Sequence, residues 1–331
     1  MNSGVRTLRI LLTGATGFLG NNLLRILLED GHQVTVTYRQ QSDPRPFLGL
    51  DVEKVAADLN DSATLKSAVA KAELVIHSAA MIQIGWTKLE QARQVNVEAT
   101  RQLAQAARLQ GIRMIYVSTV DALATGKLDQ PATELDIEPS KPEFTYVVSK
   151  REAELAFAEQ VAAGLDGVIV SPGFMVGPWD WKPSSGQMML AIAKQFTPLA
   201  PSGGCSVVDV RDVACGIVSA IEHGKTGESY ILGGENVTYL DLWKRMAAVV
   251  GSKPPVGKLP GLINWTAGRV GDMVGKLTGN EPTVNSAATT MGSLLHWYSS
   301  QKASQELGYQ IGEVDVALAD AWDWFNTNGY V

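Results

Sequence analysis

Cysteine is nearly missing from this chain: only Cys205 and Cys215 occur in 331 residues. Neither stands in a Cys-x-x-Cys or metal-ligand spacing, which excludes a disulfide-stapled scaffold and leaves no metal site to expect. A reducing, cytoplasmic compartment follows as the expectation. Long apolar runs are absent as well, and nothing approaches the roughly 20 residues a membrane span needs. Met1 to Thr7 lead straight into a short apolar run, without the long h-region and small-residue cleavage site of a signal peptide. Positive charge is in deficit, with 28 Lys and Arg against 34 Asp and Glu and a net charge of -6. No global field therefore holds nucleic acid or an anionic membrane, and any phosphate recognition must be local. Repeats and low-complexity tracts are lacking too.

What is present is a globular composition, 45% hydrophobic and 19% charged, on a chain long enough for two lobes. Strand-like and helix-like stretches alternate from the start, the mark of a parallel sheet built from βαβ units. Arg9 to Thr13 is predicted as a buried first strand, Phe18 to Asp30 as a helix ended by Gly31, and Gln33 to Tyr38 as a β-branched second strand. Lys54–Ala57, Leu74–His77, Arg113–Val117 and Gly167–Ser171 continue the series. Long helices are expected over Lys88–Gln110 and Tyr146–Ala163. The fold class is thus α/β, a doubly wound Rossmann sheet with a smaller C-terminal substrate-binding cap. Residues 1–172 would form the nucleotide lobe and 173–331 mostly the cap. Val207–Val210, Ser229–Leu232 and the helix Asp212–His223, near 205–235, are expected to return to the first lobe.

Thr13-Gly14-Ala15-Thr16-Gly17-Phe18-Leu19-Gly20 follows a strand and opens a helix, the context that turns a glycine pattern into a dinucleotide site. Gly14 suits the tight turn, Gly17 a close approach of pyrophosphate, and Gly20 helix packing against the sheet. The amides of Phe18 and Leu19 would face the phosphates. With Thr13 ahead of it, the Gly-x-x-Gly-x-x-Gly spacing resembles the short-chain dehydrogenase/reductase superfamily. Its extended branch, the NAD-dependent epimerase/dehydratase family, includes nucleotide-sugar epimerases, dihydroflavonol reductases and 3β-hydroxysteroid dehydrogenases.

Cofactor choice is read at the end of the second strand, where an acid binds a ribose hydroxyl and an arginine a 2'-phosphate. Thr37-Tyr38-Arg39 offers no acid before Asp43, which favours NADP(H), with Arg39 on the phosphate and Tyr38 beside the adenine. Ala57-Asp58-Leu59 resembles the family's adenine-contacting turn. His77-Ser78-Ala79-Ala80 resembles its H-x-A-A segment, where Ser78, Ala79 and Ala80 would run under the cofactor. His77 itself is expected to be a satisfied core residue rather than a base.

A carbonyl that receives hydride needs a proton donor close to its oxygen. Tyr146-Val147-Val148-Ser149-Lys150 puts a phenol and an ammonium on one helix face, four residues apart, where the charge favours phenolate. Met114-Ile115-Tyr116-Val117-Ser118-Thr119 supplies hydroxyls at a strand end. Thr119 is the candidate to hold the substrate oxygen and Ser118 its alternative; either also suits an ordinary strand-end hydroxyl. Asn96 resembles the family's Asn-Val-x-Gly-Thr segment, with a structural role equally open to it.

Ser171-Pro172-Gly173-Phe174-Met175-Val176-Gly177-Pro178 resembles the turn that meets the nicotinamide carboxamide, which implies Pro172, Gly173 and Met175 as cofactor contacts. Gly177-Pro178-Trp179-Asp180-Trp181-Lys182-Pro183 resembles a loop of dihydroflavonol-reductase-like bacterial proteins, including hopanoid-associated sugar epimerases. One departure matters. Dehydratases carry Thr-Asp-Glu where this chain has Thr119-Val120-Asp121, so dehydration is disfavoured and Asp121 is left without an evident partner, with helix capping its default. The resemblance implies an oxidoreductase interconverting a carbonyl and an alcohol, acting on a small molecule, with a homodimer open. A nucleotide-sugar epimerase with retained cofactor, or a non-catalytic NADP(H) sensor, are the competing readings. Pyrophosphate-binding cations in the cap are few (Lys182, Lys194 and Arg211), whereas Trp179, Trp181 and Phe174 favour an apolar or aromatic substrate.

Overall fold

The computed structural model describes residues 6–127, 129–137 and 141–331; the first five residues, part of the stretch read above for a leader, lie outside them. Seven parallel strands form the main sheet: β1 (Arg9–Thr13), β2 (Gln33–Tyr38), β3 (Glu53–Ala56), β4 (Leu74–His77), β5 (Arg113–Val117), β6 (Gly167–Pro172) and, further along the chain, β10 (Ser229–Leu232), in the order β10-β6-β5-β4-β1-β2-β3. The chain reverses direction across the sheet between β1 and β4, and ligands of open α/β sheets bind at such a switch point, beyond the carboxyl ends of the strands. Successive side chains of a strand point to opposite faces. Accordingly Ile10 and Leu12 of β1 enter one core, with α1 (Phe18–Glu29) and α7 (Val210–His223), while Leu11 enters the other. That second core is closed by α2 (Ser62–Val69), α4 (Ala99–Gln110) and α5 (Thr145–Ala162).

The expected long helix before Gly111 has three parts. A short α3 (Leu89–Ala92) leads into a π-helical turn, Arg93–Glu98, and then into α4. Gly111, with φ 67°, ends α4 as a left-handed cap.

Beyond Pro172 a smaller second layer forms. β7 (Phe174–Val176), β9 (Gly204–Asp209), β11 (Glu235–Thr238) and β13 (Leu295–His296) make a separate sheet, and β8 (Leu199–Ala200) pairs with β12 (Gly257–Lys258). The run Val207–Val210, expected to return to the first lobe, supplies Val208 and Val210 to the first core, but its strand β9 pairs with β7 and β11 in this layer, whereas β10 joins β6 in the main sheet. Helices α6 (Gly186–Lys194), α8 (Tyr239–Val250) and α12 (Val314–Thr327) share the apolar core under it. Helices α9 (Gly261–Thr278) and α10 (Ser286–Met291) pack on each other, and α11 (Gln301–Leu307) packs on α7 and β10.

Candidate active site

Gly14 has φ 81° and a Cβ there would lie 2.7 Å from the amide nitrogen of Ala79. Only glycine lets the turn after β1 lie against the Ser78–Ala79 backbone. At Gly20 a Cβ would sit 2.1 Å from the Gly14 carbonyl oxygen, so only glycine lets α1 lie this close to the turn that leaves β1. The Gly17 amide donates to Gly14 O at 2.9 Å, with Thr16 half-buried beside it. Helix α1 begins at Phe18 with no side-chain cap, which leaves the first-turn amides, those of Phe18 and Leu19 among them, free for an anion.

The floor beneath this loop is tied together. Thr13 Oγ1 accepts from the Ala79 amide at 3.3 Å and lies 2.7 Å from His77 Nδ1. Thr100 Oγ1 donates to Asn96 O at 2.6 Å and lies 3.1 Å from His77 Nε2. These partners assign the proton to Nε2, with Nδ1 accepting from Thr13. Burial, then the charge of Lys150, pushes the imidazole down to about 3. His77 is a neutral, satisfied core residue, as its position at a strand end led one to expect.

At the end of β2, Tyr38 meets the edge of Phe47 and Arg39 is exposed. Asp43, the first acid downstream, is already gripped by Arg45, at 2.6 Å from Nη2 and 2.7 Å from Nε. Asp58 is exposed and accepts from the Asn60 amide at 2.9 Å, with Leu59 half-buried next to it. On the other side of the switch point, Gly173 approaches Ser206 so closely that a Cβ would lie 2.6 Å from its carbonyl oxygen. Pro172 closes β6, Met175 is half-buried against the first core, and Ser78 and Ala79 are half-buried with Ala80 exposed.

Tyr146 stands in the first turn of α5, its amide held by Gln83 O at 3.1 Å while Thr145 N bonds Gly85 O at 2.9 Å. The loop after β4 therefore fixes the start of this helix. Asn96, at the π-helical turn, clamps the same loop: it accepts from the Met81 amide at 2.7 Å and donates to Met81 O and to Ser149 Oγ, each at 3.0 Å. One turn on, Lys150 is buried, donates to Val117 O at 2.8 Å, and lies over the Tyr116 ring at 4.6 Å. Burial lowers the lysine to about 7, against a partial restoring pull from Glu154. Burial, then Asp121, raises the Tyr146 phenol, while a hydrogen bond from Thr119 acts the other way. The phenol is thus raised, and not depressed by Lys150 as the four-residue spacing suggested.

Of the two strand-end hydroxyls, Thr119 faces Tyr146 and also accepts from the Asp121 amide at 3.2 Å. Ser118 is turned away, its hydroxyl donating in a short bond to Glu154. Glu154 was missed in the sequence, although Tyr146, Lys150 and Glu154 stand at four-residue intervals on one helix face. Asp121 also has partners that no spacing announced: Lys141 Nζ at 3.6 Å and His296 Nδ1 at 3.3 Å. Burial opposes its charge, but Lys141 and then His296 outweigh it and hold the carboxyl at about 2. Lys141 is in turn bonded to Val120 O at 2.8 Å and Tyr298 Oη at 2.7 Å.

The cap aromatics play another part than expected. Trp179 and Trp181 cluster with Trp324, and Arg25 of α1 lies 3.4 Å from the Trp179 ring centroid. Phe174 packs into the same core. They bind the two layers together. Of the three candidate pyrophosphate-binding cations, Arg211 is held by Asp209 and Asp320, each at 2.6 Å, while Lys182 and Lys194 are exposed.

The model of the NAD dependent epimerase/dehydratase family matches residues 10–233, spanning the glycine loop, Tyr146, Lys150 and the main sheet. The chain belongs to this family. It is 34% identical over 327 residues to a putative dihydroflavonol 4-reductase of Synechocystis sp., covering 97% of this chain and 95% of that protein. A ceramide reductase of Caulobacter vibrioides is 31% identical, over 97% of this chain and 96% of the relative. The crystal structure of gox2253 superposes with a TM-score of 0.85 at 36% identity, covering 97% of this chain and 98% of that one. The protein is an oxidoreductase of the extended short-chain dehydrogenase/reductase type, and an NAD(P) cofactor is implied by the family. The residues fit such a group: the turn, which only glycine allows at position 14, leads into α1, whose first-turn amides have no side-chain cap. No helix among the described residues is long and apolar enough to cross a membrane.

Proposed function

We propose that this protein is an NADP(H)-dependent reductase that converts an apolar ketone or aldehyde to its alcohol. One observation carries the reading: Tyr146, buried in the first turn of α5, faces Thr119 at the end of β5, one helical turn before the buried Lys150. Burial and Asp121 both keep the phenol in its neutral form, which is the form a reductase needs as proton donor. When bound, the nicotinamide supplies the hydride to the carbonyl carbon. Thr119 holds the carbonyl oxygen, and Tyr146 Oη gives that oxygen its proton. Lys150 spends one N–H on Val117 O; in its protonated form it keeps two more for the ribose hydroxyls and for the phenolate left behind. Ser118 acts through Glu154 and Lys150 rather than on substrate.

Preference for NADP(H) rests on Arg39, exposed at the end of β2, and on Asp43 being occupied by Arg45. Gly14, Gly17 and Gly20 shape the pyrophosphate site; Tyr38, Asp58 and Leu59 flank the adenine; Ser78, Ala79, Ala80, Pro172, Gly173 and Met175 line the nicotinamide side. Residues 1–172, with α7 and β10, form the cofactor lobe, and most of 173–331 the substrate cap. An apolar substrate is supported by the ceramide reductase among the relatives and by the engagement of Arg211 with two carboxylates, which occupies the one arginine among the candidate pyrophosphate-binding cations.

The test is a panel of long-chain and aromatic ketones, aldehydes and alcohols followed at the nicotinamide absorbance with NADPH and with NADH. Oxidation of NADPH by an apolar ketone is expected. Turnover confined to a nucleotide sugar, with cofactor retained, would replace this reading by epimerisation.

A further inference from the structure

Helix α9 is amphipathic in the reverse of the usual sense. Its inward face is glycine: a Cβ at Gly271 would lie 1.9 Å from Val284 O, and one at Gly268 2.4 Å from Thr289 Oγ1. Its outward face is large and apolar, with Leu262, Ile263, Val270, Met273, Val274 and Leu277 exposed, the first and last by 75% and 79%. At the helical step of about 100° per residue, these six fall within an arc of about 120° opposite the glycines. Trp265, Arg269 and Lys276 share one flank of that arc. Residues 251–279 carry Lys253, Lys258, Arg269 and Lys276 against the single acid Asp272, in a chain whose net charge is -6. Such a helix, about 27 Å long, suits the plane of a bilayer interface rather than a span.

The patch continues to the candidate active site. Glu281, just beyond α9, accepts from the Trp86 amide at 2.7 Å, Gln83 Nε2 at 3.0 Å and Thr87 Oγ1 at 2.7 Å. Trp86 Nε1 reaches Ser286 at 2.8 Å. This is the loop that holds the Tyr146 amide through Gln83, and its Ile82, Ile84 and Trp86 are exposed by 63%, 41% and 49%.

We infer that the outward face of α9, with Ile82, Ile84 and Trp86, seats this protein on an anionic phospholipid surface beside the mouth of its active site. The basic flank selects that occupant over a second copy, because a two-fold contact brings together two copies of the same face, with its excess of positive charge, and supplies no anionic partner. Net charge averages over the whole surface and hides this local reversal. As regards delivery of an apolar substrate from the bilayer, the inference rests on the reductase reading; seating itself does not.

Flotation of the full-length protein with phosphatidylcholine vesicles, with and without phosphatidylglycerol, tests it in the absence of substrate. Binding to the anionic vesicles is expected. It should fall about tenfold or more in Met273→Glu/Leu277→Glu, and Arg269→Ala/Lys276→Ala should remove the preference for phosphatidylglycerol to a similar degree. The milder Met273→Ser/Leu277→Ser pair, with an unchanged melting curve, guards against a folding defect. Failure of the wild type to float would overturn the inference, as would a dimer that these variants dissolve without any vesicle binding. NADPH oxidation with a small soluble ketone, expected to be equal in all variants, reports separately on the reductase reading.

Discussion

Lys150→Met separates what this lysine does for chemistry from what it costs the fold. The amine is buried and lowered from 10.5 to about 7, so at pH 7 the folded chain forgoes about 4 kcal/mol of the protonation free energy available to the unfolded one. Methionine fills a similar volume without that penalty but leaves Val117 O, now bonded at 2.8 Å, without its donor, at about 1–3 kcal/mol. The cofactor-free mutant should therefore be more stable than wild type at pH 7, by about 2 kcal/mol on this balance. The sign with pH follows from the lowered pKa. Between pH 7 and 10.5 the unfolded chain binds a proton that the folded chain lacks, so this group makes wild-type stability rise with pH by about 1.4 kcal/mol per unit. Lys141, lowered to about 8, adds to the slope in both proteins and cancels in the comparison. Urea denaturation of both proteins at pH 7, 8 and 9 should show the mutant's advantage shrinking with pH, while its NADPH affinity is lost throughout. Parallel stability curves, or a mutant that binds NADPH normally, would refute the reasoning.

Arg39→Ala should weaken NADPH binding about tenfold or more and leave NADH nearly unchanged, since only NADPH offers a phosphate to the guanidinium; equal losses in fluorescence titrations would remove Arg39 from the site. Gly14→Ala meets both a φ of 81° and a backbone atom at 2.7 Å, so it should lower stability by more than about 1 kcal/mol and weaken both cofactors alike, as thermal melts and titrations would show. Asp121→Asn should cost about 2 kcal/mol at neutral pH, because its carboxyl sits at about 2 rather than 3.8. A lowered carboxyl stabilises above its unfolded pKa and loses that as pH falls through the folded one, so the deficit relative to wild type should vanish between about pH 4 and pH 2; a deficit independent of pH in acid denaturation would mean that the contacts with Lys141 and His296 are not its source.

Much of the fold was legible because parallel strands buried on both faces read as short apolar runs between helices. The runs from Arg9–Thr13 to Gly167–Ser171 stand in the main sheet nearly as read from sequence. The pairing of later strands was not legible: Val207–Val210 and Ser229–Leu232 look alike in composition, yet one joins the second sheet and the other the first. Trp179 and Trp181 suggested a substrate mouth because aromatic content says nothing of direction, and the structure turns them toward Trp324 and Arg25. Local geometry was the legible part of the candidate site, since Tyr146 and Lys150 share a helix and Glu154 extends their spacing. Asp121 could not be understood alone. Its partner His296 comes from a strand of the second sheet, and only the tertiary fold brings them together.

The most direct measurement of the central claim is the turnover of Tyr146→Phe with NADPH and an active carbonyl substrate, beside its NADPH dissociation constant. The ring stays in its buried place and only the hydroxyl goes, so the mutant should fold, bind NADPH nearly as wild type does, and lose about 10²- to 10⁴-fold in kcat, the range general acid catalysis supplies. Turnover above about a tenth of the wild-type rate would show that the proton comes from another group, and the assignment of Tyr146 would then be wrong.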